Sequence, residues 1–183
     1  MLSPDPARER SHPIWTDLVS LLRVGRPDRM SEWLRQVPLL EGTHRRHLAH
    51  LVRILHRRSY ESGEVVFRQG DVGSGMYIVH SGRIRIVAED PVRGEIQLSI
   101  LEPGQCFGEM SLFDHGPRSA SALAHEDSVL YGLFEGDLDQ LERTRPQAAA
   151  RLLHNLALSV SLRLRHTNER LRDIEEGSAR GPY

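Results

Sequence analysis

The sequence predicts a mainly β domain with flanking helices, an antiparallel β-roll of the α+β class, and three observations carry that prediction. Between Glu64 and Phe134, short β-rich runs alternate with glycine turns, which indicates a sandwich or barrel. Before residue 60 the apolar spacing is helical, and after Pro146 one helical pattern continues for about thirty residues.

The elements follow in order. Ile14, Leu18 and Leu22 are spaced at four, Met30, Trp33, Leu34 and Val37 come next, and Leu48, Leu51, Val52 and Leu55 repeat the helical period. Gly25 to Asp28 and Pro38 to Gly42 punctuate these segments, so two or three short helices are expected. The expected strands are Glu64 to Phe67, Met76 to His80, Arg83 to Val87, Glu95 to Leu101, Ser119 to Ala124 and Val129 to Phe134. Gly70, Gly73, Gly75, Gly82, Gly94, Gly104 and Gly108 lie between or at the edges of these runs, where tight turns fall. Pro146 suits a first helical turn, and the helix it opens is expected to end at Glu176, before Gly177 and Ser178.

That last helix carries a heptad pattern. Leu153, Val160, Thr167 and Ile174 fill one of the two seam positions, and Ala150, Ala157, Leu164 and Leu171 fill the other. A second stripe of Leu152, Leu156 and Leu162 points elsewhere. One face is thus suited to a second chain and the other to the β-roll, while a single amphipathic helix lying on its own domain explains the pattern equally well. The division expected is a helical extension over 1–29, a binding domain over 30–176 with its roll at about 60–135 and its helix at about 146–176, and a tail over 177–183.

Composition narrows the function. The chain has 183 residues, 39% apolar and 27% charged, which suits one folded core. No apolar run is long enough to cross a bilayer, and the opening Met1 to Arg10 lacks a signal peptide's apolar stretch, so a cytoplasmic protein without membrane insertion is expected. The single Cys106 excludes an intramolecular disulfide and a multi-thiolate metal site. Net charge is −1, without the strongly basic balance of a nucleic-acid binder, although residues 1–60 carry 11 Arg against 6 acids and residues 61–136 carry 5 against 12. The run His44, Arg45, Arg46, His47, His50, Arg53, His56, Arg57 and Arg58 reads as a solvated basic helix face, since no third ligand joins His47 and His50 at motif spacing.

The informative segment is Phe107-Gly108-Glu109-Met110-Ser111-Leu112-Phe113-Asp114-His115-Gly116-Pro117-Arg118-Ser119-Ala120. Gly108 permits a sharp exit from a strand, and Glu109 to Phe113 suffices for one helical turn, whose first amides are unpaired and favour anions. Arg118, at the head of the next strand, is suited to gripping a phosphate in bidentate fashion. A carboxylate beside an anion site makes sense where the ligand also carries a hydroxyl, whose proton Glu109 accepts. A ribose cyclic phosphate is such a ligand.

This segment resembles the phosphate-binding cassette of cyclic-nucleotide-binding domains, and Val66 to Gly82 resembles that family's first glycine-and-strand signature, with Phe67 where Val, Ile or Cys is usual. The resemblance spans roughly residues 30–175. It implies an antiparallel double-stranded β-helix, or jelly roll, with N-terminal helices and a long C-terminal helix. Glu109 and the Gly108 backbone would hold the ribose 2′-hydroxyl; Arg118 would neutralise the phosphate, helped by Ser119 and by amides near Met110 and Ser111. Arg163, Leu164 or Thr167 would close over the base. The Phe67 substitution is expected to affect the core and no ligand contact. A catabolite-activator-like bacterial member reads Arg-Ser-Ala at the same place, which favours cAMP over cGMP.

In the catabolite activator family a helix-turn-helix domain follows the long helix. Only seven residues follow Glu176 here, so the expectation is a sensor that does not bind DNA through this chain and signals to a partner protein or a homodimer. The run Arg163 to Asn168 is similar to bacterial members found alone or appended to transporters and enzymes. Two other readings compete. One is a ligand-free dimerisation module of the same fold, against which intact Glu109 and Arg118 argue. The other is a cupin-like metal enzyme, for which His80, His115 and His125 supply no His-x-His pair. The expected protein is therefore non-enzymatic, with no catalytic residue, no metal and no cofactor, and a cyclic nucleotide as its ligand.

Overall fold

The computed structural model describes residues 27–179. Helix α1 (Pro27–Leu34), a 3-10 turn (Pro38–Leu40) and α2 (Arg45–Ile54) precede eight strands. These are β1 (His56–Tyr60), β2 (Val65–Phe67), β3 (Gly75–Ser81), β4 (Ile84–Asp90), β5 (Gly94–Leu101), β6 (Cys106–Phe107), β7 (Ser121–Ala124) and β8 (Ser128–Phe134). The one-turn α3 (Ser111–Asp114) separates β6 from β7, and α4 (Glu135–Thr144) and α5 (Pro146–Ala179) follow β8.

All strand pairs are antiparallel and form two four-stranded sheets, ordered β1-β8-β3-β6 and β2-β7-β4-β5. Apart from the β4–β5 hairpin, the chain crosses from one sheet to the other at each connection, so this is the expected jelly roll with helices at both ends. Strand β3 shows how one sequence serves two cores. Its side chains alternate with period two, so Tyr77 and Val79 enter the space between the sheets while Met76 and Ile78 face the helices. Between the sheets they meet Ile84, Phe107, Ala122 and Leu130; on the helical side they meet Leu34, Leu48, Leu51, Leu152 and Leu156. Each fully buried leucine of that second layer stabilises the fold by about 1.5–3 kcal/mol. Asn155 fixes the height of α5 on this layer, donating from Nδ2 to the Leu39 and Glu41 carbonyls at 2.8 and 2.9 Å.

Several boundaries differ from the sequence reading. The basic run is not one helix face: α2 ends at Ile54, and His56, Arg57 and Arg58 belong to β1, in register with Gly132, Tyr131 and Leu130 of β8. Nor are His47 and His50 simply solvated, because both rings are partly buried. Helix α5 continues through Gly177 and Ser178 to Ala179, since the stacked turns before them carry the ladder past residues of weak helical preference. Leu162 does not join Leu152 and Leu156 in the core but is exposed. The pattern of Ile14, Leu18 and Leu22 lies outside the described residues, and no helix among the described residues is long and apolar enough to cross a membrane.

Candidate ligand-binding site

The cassette is a tight excursion between β6 and β7. Gly108 leaves β6 at φ +74°, and a Cβ there would lie 2.6 Å from Arg118 Nη1, so both the backbone angle and the closeness of the guanidinium require glycine. Short bonds then wind α3: Leu112 N–H donates to the Glu109 carbonyl at 3.1 Å and Phe113 N–H to that of Met110 at 2.9 Å. His115 ends the turn in the left-handed region at φ 51°, and Asp114 Oδ1 accepts the Gly116 amide at 2.9 Å. The chain is thereby returned to Arg118, whose amide donates to the Asp71 carbonyl at 2.8 Å and whose carbonyl accepts from Gly70. The two glycine-bearing segments singled out in the sequence are thus bonded to one another through backbone groups.

The charged side chains at the centre are withdrawn from water. Glu109 is 3% exposed and Arg118 8%. Arg118 Nη1 donates to the Gly108 carbonyl and to Ser111 Oγ, both at 2.8 Å, while its Nε–H is buried with no acceptor among the described residues. Its Cζ lies 4.1 Å above the Phe67 ring. Burial draws the guanidinium below the usual arginine value, with Tyr77, Asp71 and Glu109 acting in the opposite direction; the group still carries its charge at any physiological pH. A buried cation with an unused donor carries an unmet demand for an acceptor.

Glu109 and Arg118 do not pair with each other. The partner of Glu109 comes from α5: Arg163 Nη1 donates to its Oε1 at 2.7 Å, and Arg163 Nη2 to the Cys106 carbonyl at 3.2 Å. The cassette is therefore tied to the long helix through one guanidinium, itself about half exposed. From the sequence, Arg163 is expected only to close over the base; a helical spacing gives no signal for a contact across 54 positions. Phe67 was expected to matter to the core alone, yet it forms the floor beneath Arg118, its ring tilted against those of Tyr77 and Phe107.

The remaining candidates are placed as follows. Ser111 is buried with its hydroxyl bonded to the cassette, Met110 and Ser119 are exposed at its rim, and Leu164 is exposed on α5. Thr167 Oγ1 donates to the Arg163 carbonyl at 2.9 Å. His80 packs against Trp33 and Tyr131, whereas His115 faces Glu135, so these histidines lie in separate environments.

A two-sheet jelly roll that buries a carboxylate and an arginine on either side of a one-turn helix is the architecture of a small-molecule-binding domain. The chain belongs to the cyclic nucleotide-binding domain family, whose sequence pattern matches residues 57–145. It is 40% identical over 131 residues to the cyclic AMP receptor protein of Thermus thermophilus, covering 72% of this chain and 59% of that one. Among solved structures, the N-terminal domain of a transcriptional regulator from Streptomyces coelicolor superposes with a TM-score of 0.64 at 33% identity, covering 75% of this chain and 95% of that one. A cyclic nucleotide-binding domain from Methylobacillus flagellatus shares the fold with a TM-score of 0.72 at 21% identity, covering 80% and 83%. The chain spans 59% to 63% of the length of the first curated relatives it matches.

Proposed function

We propose that this chain is a non-enzymatic sensor that binds a cyclic nucleotide, cAMP in preference to cGMP, and signals through α5 to a partner protein or to a second copy of itself. The observation that carries the reading is the ion pair from Glu109, in the cassette, to Arg163, on the long helix. A ligand whose ribose hydroxyl donates to Glu109 and whose phosphate accepts from Arg118 must either reinforce that pair or compete with it. In both cases it acts on the same helix.

The chemistry is recognition without bond changes. Gly108 and Glu109 would take the 2′-hydroxyl, Arg118 with Ser119 and the amides of Met110 and Ser111 would take the phosphate, and Arg163, Leu164 or Thr167 would approach the base. For α5 to change state, the nucleotide must bind one helix position more tightly than the other, because equal affinities shift no population. Adenine is favoured because the Thermus thermophilus relative is named for cyclic AMP and because this chain also carries Arg118-Ser119-Ala120.

The test is calorimetric titration of the purified chain with cAMP, cGMP and cyclic di-GMP. Saturable one-to-one binding that is tightest for cAMP is expected. Binding of none of the three leaves only an interaction module of the same fold, and tighter cGMP binding reverses the choice of base.

A further inference from the structure

Away from the cassette, the turn before α2 and the start of α5 line an open cavity of about 190 Å³ whose walls include Thr43, Arg46, His47, Gln147 and Arg151. Gly42 adopts φ +72°, and a Cβ there would sit 3.7 Å from Arg151 Cζ, so the guanidinium lies over the bare backbone of the turn. Its polar lining is two guanidiniums, two imidazoles, a hydroxyl and the Gln147 amide, with no carboxylate. Arg46 Nε–H donates to His47 Nε2 at 3.3 Å, so neutral His47 carries its proton on Nδ1. That Nδ1 and the Thr43 hydroxyl are both shut away from water with no partner among the described residues.

The charge is equally one-sided. Among the described residues no carboxylate pairs with Arg46, Arg145 or Arg151. His47 is held below its ordinary value first by burial and then by Arg46, His44, Arg145 and His50, all of them cationic or able to become so. Two guanidiniums without counter-charges thus flank two polar groups that no protein atom among the described residues satisfies, a combination that suits an anion. The size suits a small anionic group: the cavity is smaller than the roughly 300 Å³ at which pockets for drug-sized molecules begin, and it admits a phosphate-sized group.

We propose that this cavity is a second anion site, taking inorganic phosphate or the phosphoryl end of a small phosphate monoester between the Gly42–Thr43 turn and the first turns of α5. Arg151 precedes Arg163 by twelve residues, roughly 18 Å along the helix axis, so the site is separate from the cassette. An anion here bridges α2 to α5 and holds the root of the helix whose far end meets Glu109. The inference does not depend on the cassette's ligand.

The test is a phosphate titration at constant ionic strength, with chloride as the balancing ion, read by thermal shift and by 31P line broadening. A saturable stabilisation is expected for the full chain and for Arg118→Ala, with at least tenfold weaker binding in Arg151→Gln. Thr43→Val gives a second, independent reading. Removing an unpaired buried hydroxyl should raise the melting temperature in chloride while lowering the response to phosphate; a merely structural threonine would lower both. Glycerol phosphate in a parallel arm assigns the source, since binding equal to or tighter than phosphate marks a monoester site and weaker binding marks a site for the free ion. Equal responses in the full chain and Arg151→Gln, or loss of the response in Arg118→Ala, would overturn the proposal.

Discussion

Arg118 and Glu109 are both buried, but their surroundings give them different weights. Arg118 rests on Phe67, its Nη1 is held by two oxygens of the cassette, and its Nε–H is left without a partner, so the side chain is set in position before a ligand arrives. Removing a preorganised cation that makes two charge-assisted bonds to phosphate should cost roughly 3 kcal/mol, about a hundredfold in affinity, for Arg118→Ala. Glu109→Gln keeps an oxygen that accepts from the ribose hydroxyl, so calorimetry should show a smaller loss. Unchanged affinity in Arg118→Ala, or a larger loss in Glu109→Gln, contradicts these roles. The motif residues were legible because their chemistry is local: a glycine that leaves a strand, a turn's first amides and an arginine after Gly-Pro all lie within eleven positions, from Gly108 to Arg118. The role of Phe67 was not, because its contact with Arg118 joins β2 to the loop before β7 and the sequence carries no mark of it.

Elements were legible in proportion to their length and to the regularity of their apolar spacing. The long strands β3, β4, β5 and β8 and the helix α5 were found, while β6, two residues long, offers no period to detect. Helix α4 escaped because only Leu138 and Leu141 are buried among its ten residues, too few for a face. Strand β1 escaped because Leu55 continues the helical spacing of α2, and only pairing with β8 turns the chain there into an extended conformation. The packing of α5 on β6 has a consequence that can be measured. Cys106 is buried beneath the helix, and its thiol is pushed from the ordinary value of 9.0 up to about 11, chiefly by burial and then by Glu109, against Arg163 and a bond with Ser159. The folded chain therefore keeps the thiol's proton at a pH where the unfolded chain releases it. This contribution is complete below pH 9.0 and is lost as pH rises toward about 11. Chemical denaturation across that window should show a fall on the order of 2 kcal/mol that Cys106→Ala removes; an unchanged slope in the variant would mean that the thiol is not held neutral.

Over the whole molecule, α5 divides into a packed root and an unpartnered remainder. Leu152 and Leu156 are buried against the roll, yet the heptad residues Val160, Leu164 and Leu171 are exposed, with Leu164 at 60%. Their spacing keeps them on one seam, and apolar side chains repeated along a seam are covered in coiled coils by the same seam of a second helix. An isolated helix gains nothing from presenting such a seam to water, whereas pairing removes it from solvent at about 25 cal/mol for each Å² of apolar surface. Two copies joined in this way bring both Arg163 side chains, and with them both cassettes, close to one interface, so a nucleotide that strengthens or breaks the bond from Arg163 to Glu109 would alter how the helices meet. Sedimentation should accordingly show a mass that rises with concentration, and Leu164→Glu should hold the chain as a monomer by placing two like charges across the seam. If the unaltered chain stays monomeric at high concentration, with and without cAMP, the seam serves a different protein, and the signal leaving the cassette must reach that protein through a single helix.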